Sequence, residues 1–246
     1  MRLLTGPRGG VSIERLLLPS RDGRVWLDQR FRGEGTLTIV THRAFVLTEI
    51  SVCEGALWFP LASGEIEAPA RFVLAVPPRS ALPLRFECAR LESRGVADLG
   101  AARFDAPLLV PGGSLADVPD PWLAPDAIRL DPDRAVPVRV RRARQALHDL
   151  LMHPAPVGSA ARRVGLAAET LVRGFARAYG VSPKQYCQRA RVFEAVLRLL
   201  SGAQVVEAGL DAGFSDVGRF YAAFRRVVGA TPGRYAQVKN RQDRSG

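Results

Sequence analysis

The sequence predicts an α+β protein in which an N-terminal all-β domain is followed by an all-α domain. Short runs rich in β-branched and aromatic residues dominate residues 1–105, and apolar residues recur at helical spacing in residues 138–240. A proline-rich stretch at 106–137 separates the two patterns. We therefore expect a β-rich domain over 1–105, a linker over 106–137, a helical domain over 138–240 and a tail over 241–246.

Short strands are predicted throughout the first domain, because Gly, Pro, Ser and Asp punctuate its apolar runs at close intervals. The clearest runs are 36–40, 44–50, 56–59 and 71–76. The pair Pro77-Pro78 is expected to end the last of them, since proline cannot continue a strand ladder. This pattern is typical of a β-sandwich or a small barrel.

The segment 106–137 carries seven prolines and the pair Gly112-Gly113. Long helices and sheet interiors both exclude proline at this density, because it lacks an N–H donor and fixes its own φ. A partly extended connecting segment is the structure that the composition predicts.

The second domain is predicted to be helical throughout, with glycine and proline at the helix boundaries. The expected elements are a helix over 140–152, a short helix capped by Ser159 and ending at Gly165, a helix over 168–179 ended by Gly180, a long helix over 183–200 opened by Pro183, a short helix over 205–212, a helix over 216–228 capped by Ser215 and ended by Gly229, and a final turn from Pro232.

An internal repeat joins two parts of this helical domain. The same residue types recur 49 positions apart: Phe175, Gly180, Ser182, Pro183 and Tyr186 correspond to Phe224, Gly229, Thr231, Pro232 and Tyr235. Each copy follows a short helix and a turn that contains a glycine, Gly165 or Gly213. The repeat therefore predicts two helix-turn-helix units, with apolar cores on Val164, Leu171 and Phe175 and on Ala212, Phe220 and Phe224.

The positive charge is confined to the same part of the chain. Residues 136–246 hold 19 basic and 7 acidic side chains, whereas residues 1–135 hold 16 and 17. A strongly basic module of this kind indicates a polyanion as partner. The helix over 183–200 would be about 27 Å long, enough to present two recognition helices to successive major grooves about 34 Å apart. Double-stranded DNA is therefore the expected partner.

Residues 138–239 resemble the C-terminal DNA-binding domain of the AraC/XylS family of bacterial transcription regulators. The resemblance rests on Gly180-Val181-Ser182-Pro183 with Tyr186, on Gly213-Phe214-Ser215-Asp216, and on Thr231-Pro232 with Tyr235. It implies a sequence-specific regulator that acts as an activator on promoter DNA, with RNA polymerase as a further partner. It also implies a cupin-like N-terminal barrel or sandwich that senses a small-molecule effector or forms a homodimer.

The resemblance also implies which side chains meet DNA. Base contacts are expected from Glu169, Thr170, Val172 and Arg173 in the first unit and from Val217, Gly218, Arg219 and Ala222 in the second. Phosphate contacts are expected from Arg177, Arg225 and Arg226. The chain departs from the family at Ala160-Ala161 and Ala208-Gly209, which predicts underfilled cores where each first helix meets the second.

The composition argues against a cofactor site, a metal site and a membrane-spanning segment. The first domain holds one histidine, His42, and neither a phosphate-binding glycine loop nor a nucleophile–base set is evident. We expect no cofactor, no metal, no enzymatic activity and a cytoplasmic protein without a membrane segment. His42 is expected to be structural, and Cys53, Cys88 and Cys187 to be buried reduced thiols. Trp26, Trp58 and Phe59 are expected in the core.

Two other functions stay open at this point. One is an enzyme or repair-type protein that uses the β-domain, although Cys53 and Cys88 do not resemble metal-bound reactive cysteines. The other is an architectural DNA binder that needs no effector. The sequence does not distinguish an activator from a repressor or a monomer from a dimer, and it identifies neither the effector nor the target genes.

Overall fold

The computed structural model describes residues 2–3, 12–19, 25–98, 102–116 and 120–236. For residues 2–3, 12–19, 25–31, 98 and 200 it describes the backbone without the side chain. The predicted tail over 241–246 and the side chain of Trp26 therefore lie outside the described residues.

The N-terminal part of the chain forms one antiparallel sheet, which confirms the all-β assignment. Its described strands are β1 Arg2–Leu3, β2 Ser12–Pro19, β3 Val25–Val40, β4 Phe45–Leu61, β5 Gly64–Glu67, β6 Arg71–Val76, β7 Ala81–Asp98, β8 Leu108–Pro111 and β9 Ile128–Arg129. Their order is β1-β2-β3-β7-β4-β6-β8-β9, and β5 pairs with the end of β4. The long strand β7 lies between β3 and β4, so the sheet is built around it.

The sheet encloses an apolar core of its own. The side chains of β6 at Phe72 and Leu74 pack with those of β7 at Leu82, Leu84 and Phe86. All five are almost fully buried, as the alternation of inward and outward residues along a strand requires. These apolar side chains meet in one cluster that also contains the predicted core residue Phe59, which makes the sheet domain a packed unit.

The structure confirms Phe59 as a core residue and corrects the expected positions of Trp58 and of two thiols. Phe59 is fully buried, whereas its neighbour Trp58 is half-buried on the other face with the Arg85 guanidinium 4.9 Å from its ring centre. The expectation of buried thiols is wrong for Cys53 and Cys88, which are exposed on the strands, while Cys187 is buried. Adjacent strand residues point to opposite faces, so β4 and β7 carry these side chains to solvent.

The proline-rich segment contributes the last two strands of the sheet. Strand β8 pairs with β6 and β9 pairs with β8, and the Leu130 amide donates to the carbonyl of Pro107. A 3-10 turn at Pro121–Leu123 places the Trp122 ring against Phe104, with ring centres 5.5 Å apart. The segment is therefore docked along an edge of the sheet, where proline is tolerated.

The C-terminal part is helical, as the sequence predicted. Its helices are α1 Val138–Asp149, α2 Pro156–Arg163, α3 Ala168–Tyr179, α4 Pro183–Leu200, α5 Val205–Asp211 and α6 Val217–Val228. Two expected caps are wrong: α2 begins at Pro156 and so contains Ser159, and α6 is capped by Asp216, whose carboxylate accepts the Arg219 amide, and not by Ser215. A carboxylate one residue later competes successfully for the free helix amides.

The repeated Gly-x-[Ser/Thr]-Pro skeleton ends and starts helices as its chemistry requires. Gly180 and Gly229 cap α3 and α6 in the left-handed conformation, with φ of 67° and 75°. After the first of them, Ser182 and Gln185 form a reciprocal capping box at the start of α4. The repeat therefore encodes helix boundaries, and these fix where each recognition helix stops.

Among the described residues, no helix is long and apolar enough to cross a bilayer. In the same part of the chain, no three His, Cys, Asp or Glu side chains gather as metal ligands would.

Candidate nucleic-acid interface

The first helix-turn-helix unit consists of α2, the turn at Gly165 and α3. Gly165 has a φ of 67°, and the Leu166 amide closes the turn by donating to the Ala161 carbonyl. Leu171 and Phe175 are completely buried beneath α3, and they pack with Ala161 and with α1. The predicted core of this unit is thus present, with Val164 packed at its margin.

The second unit consists of α5, the turn at Gly213 and α6, and its core is well filled. A Cβ placed on Gly209 would lie 2.4 Å from Cδ1 of Phe220, so the phenylalanine ring occupies the volume that a larger residue would fill. Phe220 and Phe224 are 1% and 0% exposed, and Ala212 is buried beside them. The expectation of an underfilled core is therefore wrong at this crossing, because Phe220 replaces the missing side-chain volume.

The predicted DNA-contacting residues all lie on the solvent side of these two helices. Each is exposed, and none belongs to an apolar cluster. On α3 they are Glu169, Thr170, Val172, Arg173 and Arg177, and on α6 they are Val217, Gly218, Arg219, Ala222, Arg225 and Arg226. The buried stripe of each helix thus leaves a complete outward face available for another molecule.

The cations on the outward faces differ in how they are held. Arg219 is tied to the start of α6, with Nε 3.2 Å from an Asp216 carboxylate oxygen and Nη1 3.4 Å from the Ser215 hydroxyl oxygen. Arg226 donates to the side-chain oxygen of Gln188 on α4. Within the described residues, Arg173 has no carboxylate partner. Of the two arginines predicted to contact bases, Arg219 is therefore paired with a carboxylate of its own helix cap and Arg173 is not.

The helical domain is also in contact with the sheet domain, through a buried pair of histidines. The Nδ1 atoms of His42, in the turn between β3 and β4, and His148 on α1 are 3.0 Å apart with their rings parallel. The other ring nitrogen of His148 lies 2.5 Å from the Tyr186 hydroxyl oxygen on α4. His42 is thus structural, as expected, and it links the sheet to two helices of the second domain.

Burial sets the charge of this histidine pair. Desolvation lowers the pKa of His148 to about 3, and the neighbouring His42, Arg144 and Arg79 act in the same direction. Desolvation also lowers the pKa of His42, although Glu194 opposes that effect. Both rings are therefore neutral at pH 7, so one Nδ1 can donate a hydrogen and the other can accept it. Two charged rings would face each other with two N–H groups, which this contact cannot accommodate.

Two further polar clusters join the domains. Arg144, 6% exposed, pairs with Asp133 at 2.8 Å and donates to the Arg79 carbonyl, while the Tyr179 hydroxyl donates to the other oxygen of Asp133 at 2.7 Å. Arg43 pairs with Glu194 of α4 at 2.9 Å. The turns at the end of the sheet therefore contact both α1 and α4.

Sequence reasoning missed this interface. Arg144, His148 and Glu194 sit on helices whose apolar pattern is strong, and nothing local marks a polar residue there as buried. One signal was available: each of them falls on the apolar side of its helix, three or four residues from a core position.

The two copies of the repeated tyrosine differ in their surroundings. Tyr186 has His148 as a partner, whereas the Tyr235 hydroxyl is buried and has no hydrogen-bond partner within the described part of the chain. Burial raises the pKa of both hydroxyls, so both remain protonated at neutral pH. The tyrosine of the repeat thus makes a hydrogen bond between two helices in the first copy, whereas in the second it only packs in the core.

Residues 160–237 match a protein-family model described as a helix-turn-helix domain. Over 80 residues the chain is 35% identical to the HTH-type transcriptional regulator ExsA of Pseudomonas aeruginosa, which covers 32% of this chain and 29% of that protein. Over 73 residues it is 34% identical to the virulence regulon transcriptional activator VirF of Yersinia enterocolitica, covering 29% and 27%. The chain thus spans less than a third of the length of these curated relatives.

Two solved structures are similar to this chain at lower sequence identity. The C-terminal domain of AraT, a response regulator from Geobacillus stearothermophilus, is 24% identical and covers 42% of this chain and 87% of its own, with a TM-score of 0.40. ToxT from Vibrio cholerae is 10% identical and covers 86% of this chain and 98% of its own, with a TM-score of 0.46.

The named curated relatives are transcription regulators and not enzymes, which agrees with the function class expected from the sequence. Residues 160–237 thus belong to a helix-turn-helix domain, and its similarity to these transcription regulators supports the resemblance to the AraC/XylS family that the sequence indicated.

Proposed function

We propose that this protein is a sequence-specific transcription regulator whose two recognition helices, α3 and α6, read successive major grooves of promoter DNA. The observation that carries the proposal is that two equivalent helices each bury one stripe and expose a basic outward face. They are joined by the 18 residues of α4, a rod of about 27 Å. This length suits two neighbouring grooves on one side of a duplex.

The two faces would read DNA differently. The first presents Thr170 and Arg173, which offer hydrogen bonds to base edges, and an Arg–guanine pair is worth about 1–3 kcal/mol of discrimination. The second presents Val217, Gly218 and Arg219, so apart from one arginine it favours thymine methyls and groove shape. Unequal faces of this kind suit an asymmetric site, which a single chain could occupy.

The N-terminal domain would regulate this binding by responding to an effector or by forming a dimer. Support comes from the position of the contact between the domains, where the β3–β4 turn bonds to His148 of α1 and to Glu194 of α4. Both helices pack against the first recognition unit. A change in the sheet domain would therefore act on the part of the molecule that sets the spacing of α3 and α6. An activator role is supported by the likeness to VirF.

Genomic footprinting tests the proposal directly. The expected result is a protected stretch that spans two turns on one face of the duplex. Arg173→Ala and Arg219→Ala should each relax the preference at different base pairs, about one turn apart, whereas Arg226→Ala should weaken binding to all sequences. Uniform, salt-sensitive binding without a preferred site would refute sequence-specific regulation.

A further inference from the structure

We propose that the exposed end of α1 adds a second cationic surface for DNA, in which Arg139 and Arg142 bind backbone phosphates beside the first recognition helix. This inference rests on the proposed DNA-binding function. It concerns residues outside both helix-turn-helix units and outside the residues 160–237 matched by the family model.

The first two turns of α1 carry an excess of positive charge. Arg139, Arg141 and Arg142 are all exposed, and none pairs with a carboxylate within the described part of the chain. The only acidic residue of α1, Asp149, lies at its other end and already contacts Arg79 and Arg163. These three arginines are therefore available for an external anion.

Arg139 is close to the start of the first recognition helix. Its Nη1 lies 3.5 Å from the carbonyl oxygen of Gly165, which forms the turn between α2 and α3. The helices α1 and α3 are also in close contact, because a Cβ on Gly174 would lie 3.2 Å from Cγ2 of Val140. The guanidinium thus lies next to the end of α3 at which Glu169 and Thr170 are exposed. A separation of 3.5 Å leaves its N–H groups weakly engaged and free to bind a stronger acceptor.

The helical period places Arg139, Arg141 and Arg142 on two different sides of α1. Arg139 and Arg142 are three residues apart, so they share one side of α1. Arg141 lies on the other flank, which it shares with Arg144, and Arg144 contacts Asp133 and the Arg79 carbonyl of the sheet domain. Arg139 and Arg142 therefore extend the exposed face of the first unit, whereas Arg141 lies toward the sheet domain.

Phosphate is the ligand that this arrangement favours. A helix placed in the major groove has rows of phosphates on both sides, and arginine binds a phosphate through two parallel N–H groups. Contacts of this kind fix the position of a protein on the duplex without reading sequence. The α1 arginines would therefore set the depth and register at which α3 meets the bases.

The test compares Arg139→Gln and Arg142→Gln with Arg141→Gln, a control that removes the same charge from the same helix. Binding is measured as a function of salt, on the footprinted site and on a random duplex. Each lost phosphate contact should reduce the salt slope by about 0.9, which corresponds to about eightfold weaker binding at 0.1 M salt. Arg141→Gln should change binding less than twofold, and the ratio between the two duplexes should stay at its wild-type value in all three variants.

The inference is overturned if Arg139→Gln and Arg142→Gln bind both duplexes as Arg141→Gln does, with the wild-type salt slope. Failure of the proposed function looks different, because the wild-type protein would then show no preference for any site. The random duplex still reports phosphate contacts in that case, so the two failures are distinguishable. Circular dichroism of each variant checks that α1 is intact, as expected for glutamine at exposed helix positions.

Discussion

Acidification from pH 7 to pH 5 should destabilise this protein through His148. The side chain is 4% exposed, and its pKa falls from 6.5 to about 3 on folding. A histidine with a lowered folded-state pKa contributes its full stability above pH 6.5 and loses it as the pH falls toward 3. Each pH unit within that window lowers the free energy of unfolding by about 1.4 kcal/mol. The 1.5 pH units from 6.5 down to 5 therefore lower it by about 2 kcal/mol. His42 adds to the loss, because burial lowers its pKa as well.

Urea unfolding at pH 7, 6 and 5 measures this effect in the wild type and in His148→Gln, whose amide can still bond to a neighbour without taking up a proton. Ordinary carboxylates titrate near pH 4 and contribute little above pH 5. At pH 7 the variant should be less stable than the wild type. From pH 7 to pH 5, however, its free energy of unfolding should fall by about 2 kcal/mol less than that of the wild type. His153→Gln is the matched control, since His153 is exposed and outside the interface. The reasoning is refuted if His148→Gln shows the same pH dependence as the wild type.

Three substitutions test other parts of the structure, each by urea unfolding of the full chain. Gly209→Ala should cost about 1–3 kcal/mol, because the new methyl group meets the Phe220 ring, and adding Phe220→Leu should recover part of the loss. Asp133→Ala should cost about 3–5 kcal/mol, since Arg144 would keep a buried charge without its carboxylate; a loss below 1 kcal/mol would contradict the buried pair. Asp216→Ala should cost about 1 kcal/mol by removing the cap of α6, and an unchanged midpoint would argue against that cap.

The helical domain was largely predictable from the sequence because its signals are local. Helix boundaries follow from residues such as Gly180, Pro183 and Gly229, whose backbone preferences act within one turn. The errors at the starts of α2 and α6 have the same local origin: Ser159 and Ser215 are good caps in general, but neighbouring residues begin the helices instead. The exposed face of each recognition helix followed from the helical period alone.

The sequence predicted that the N-terminal domain consists of strands, but it did not predict the order of those strands in the sheet. Alternating apolar residues indicated strands, but the position of β7 between β3 and β4 depends on pairings between segments far apart in the chain. The same reason explains why the proline-rich segment was expected to connect the domains, although β8 within it pairs with β6. Hydrogen bonds between strands that are distant in the chain are not indicated by the residues around either strand.

The sequence by itself determined the two helix-turn-helix units, the ends of their recognition helices and their outward residues, because glycines that end helices and prolines that start them act locally. Only the tertiary structure decided how these units are attached to the sheet. The contact between His42 and His148, the burial of Arg144 and the position of Arg139 beside Gly165 depend on segments that are 26 to 106 residues apart. Charge and burial at such contacts are set by packing across the chain, and they decide which histidines stay neutral and which arginines stay exposed.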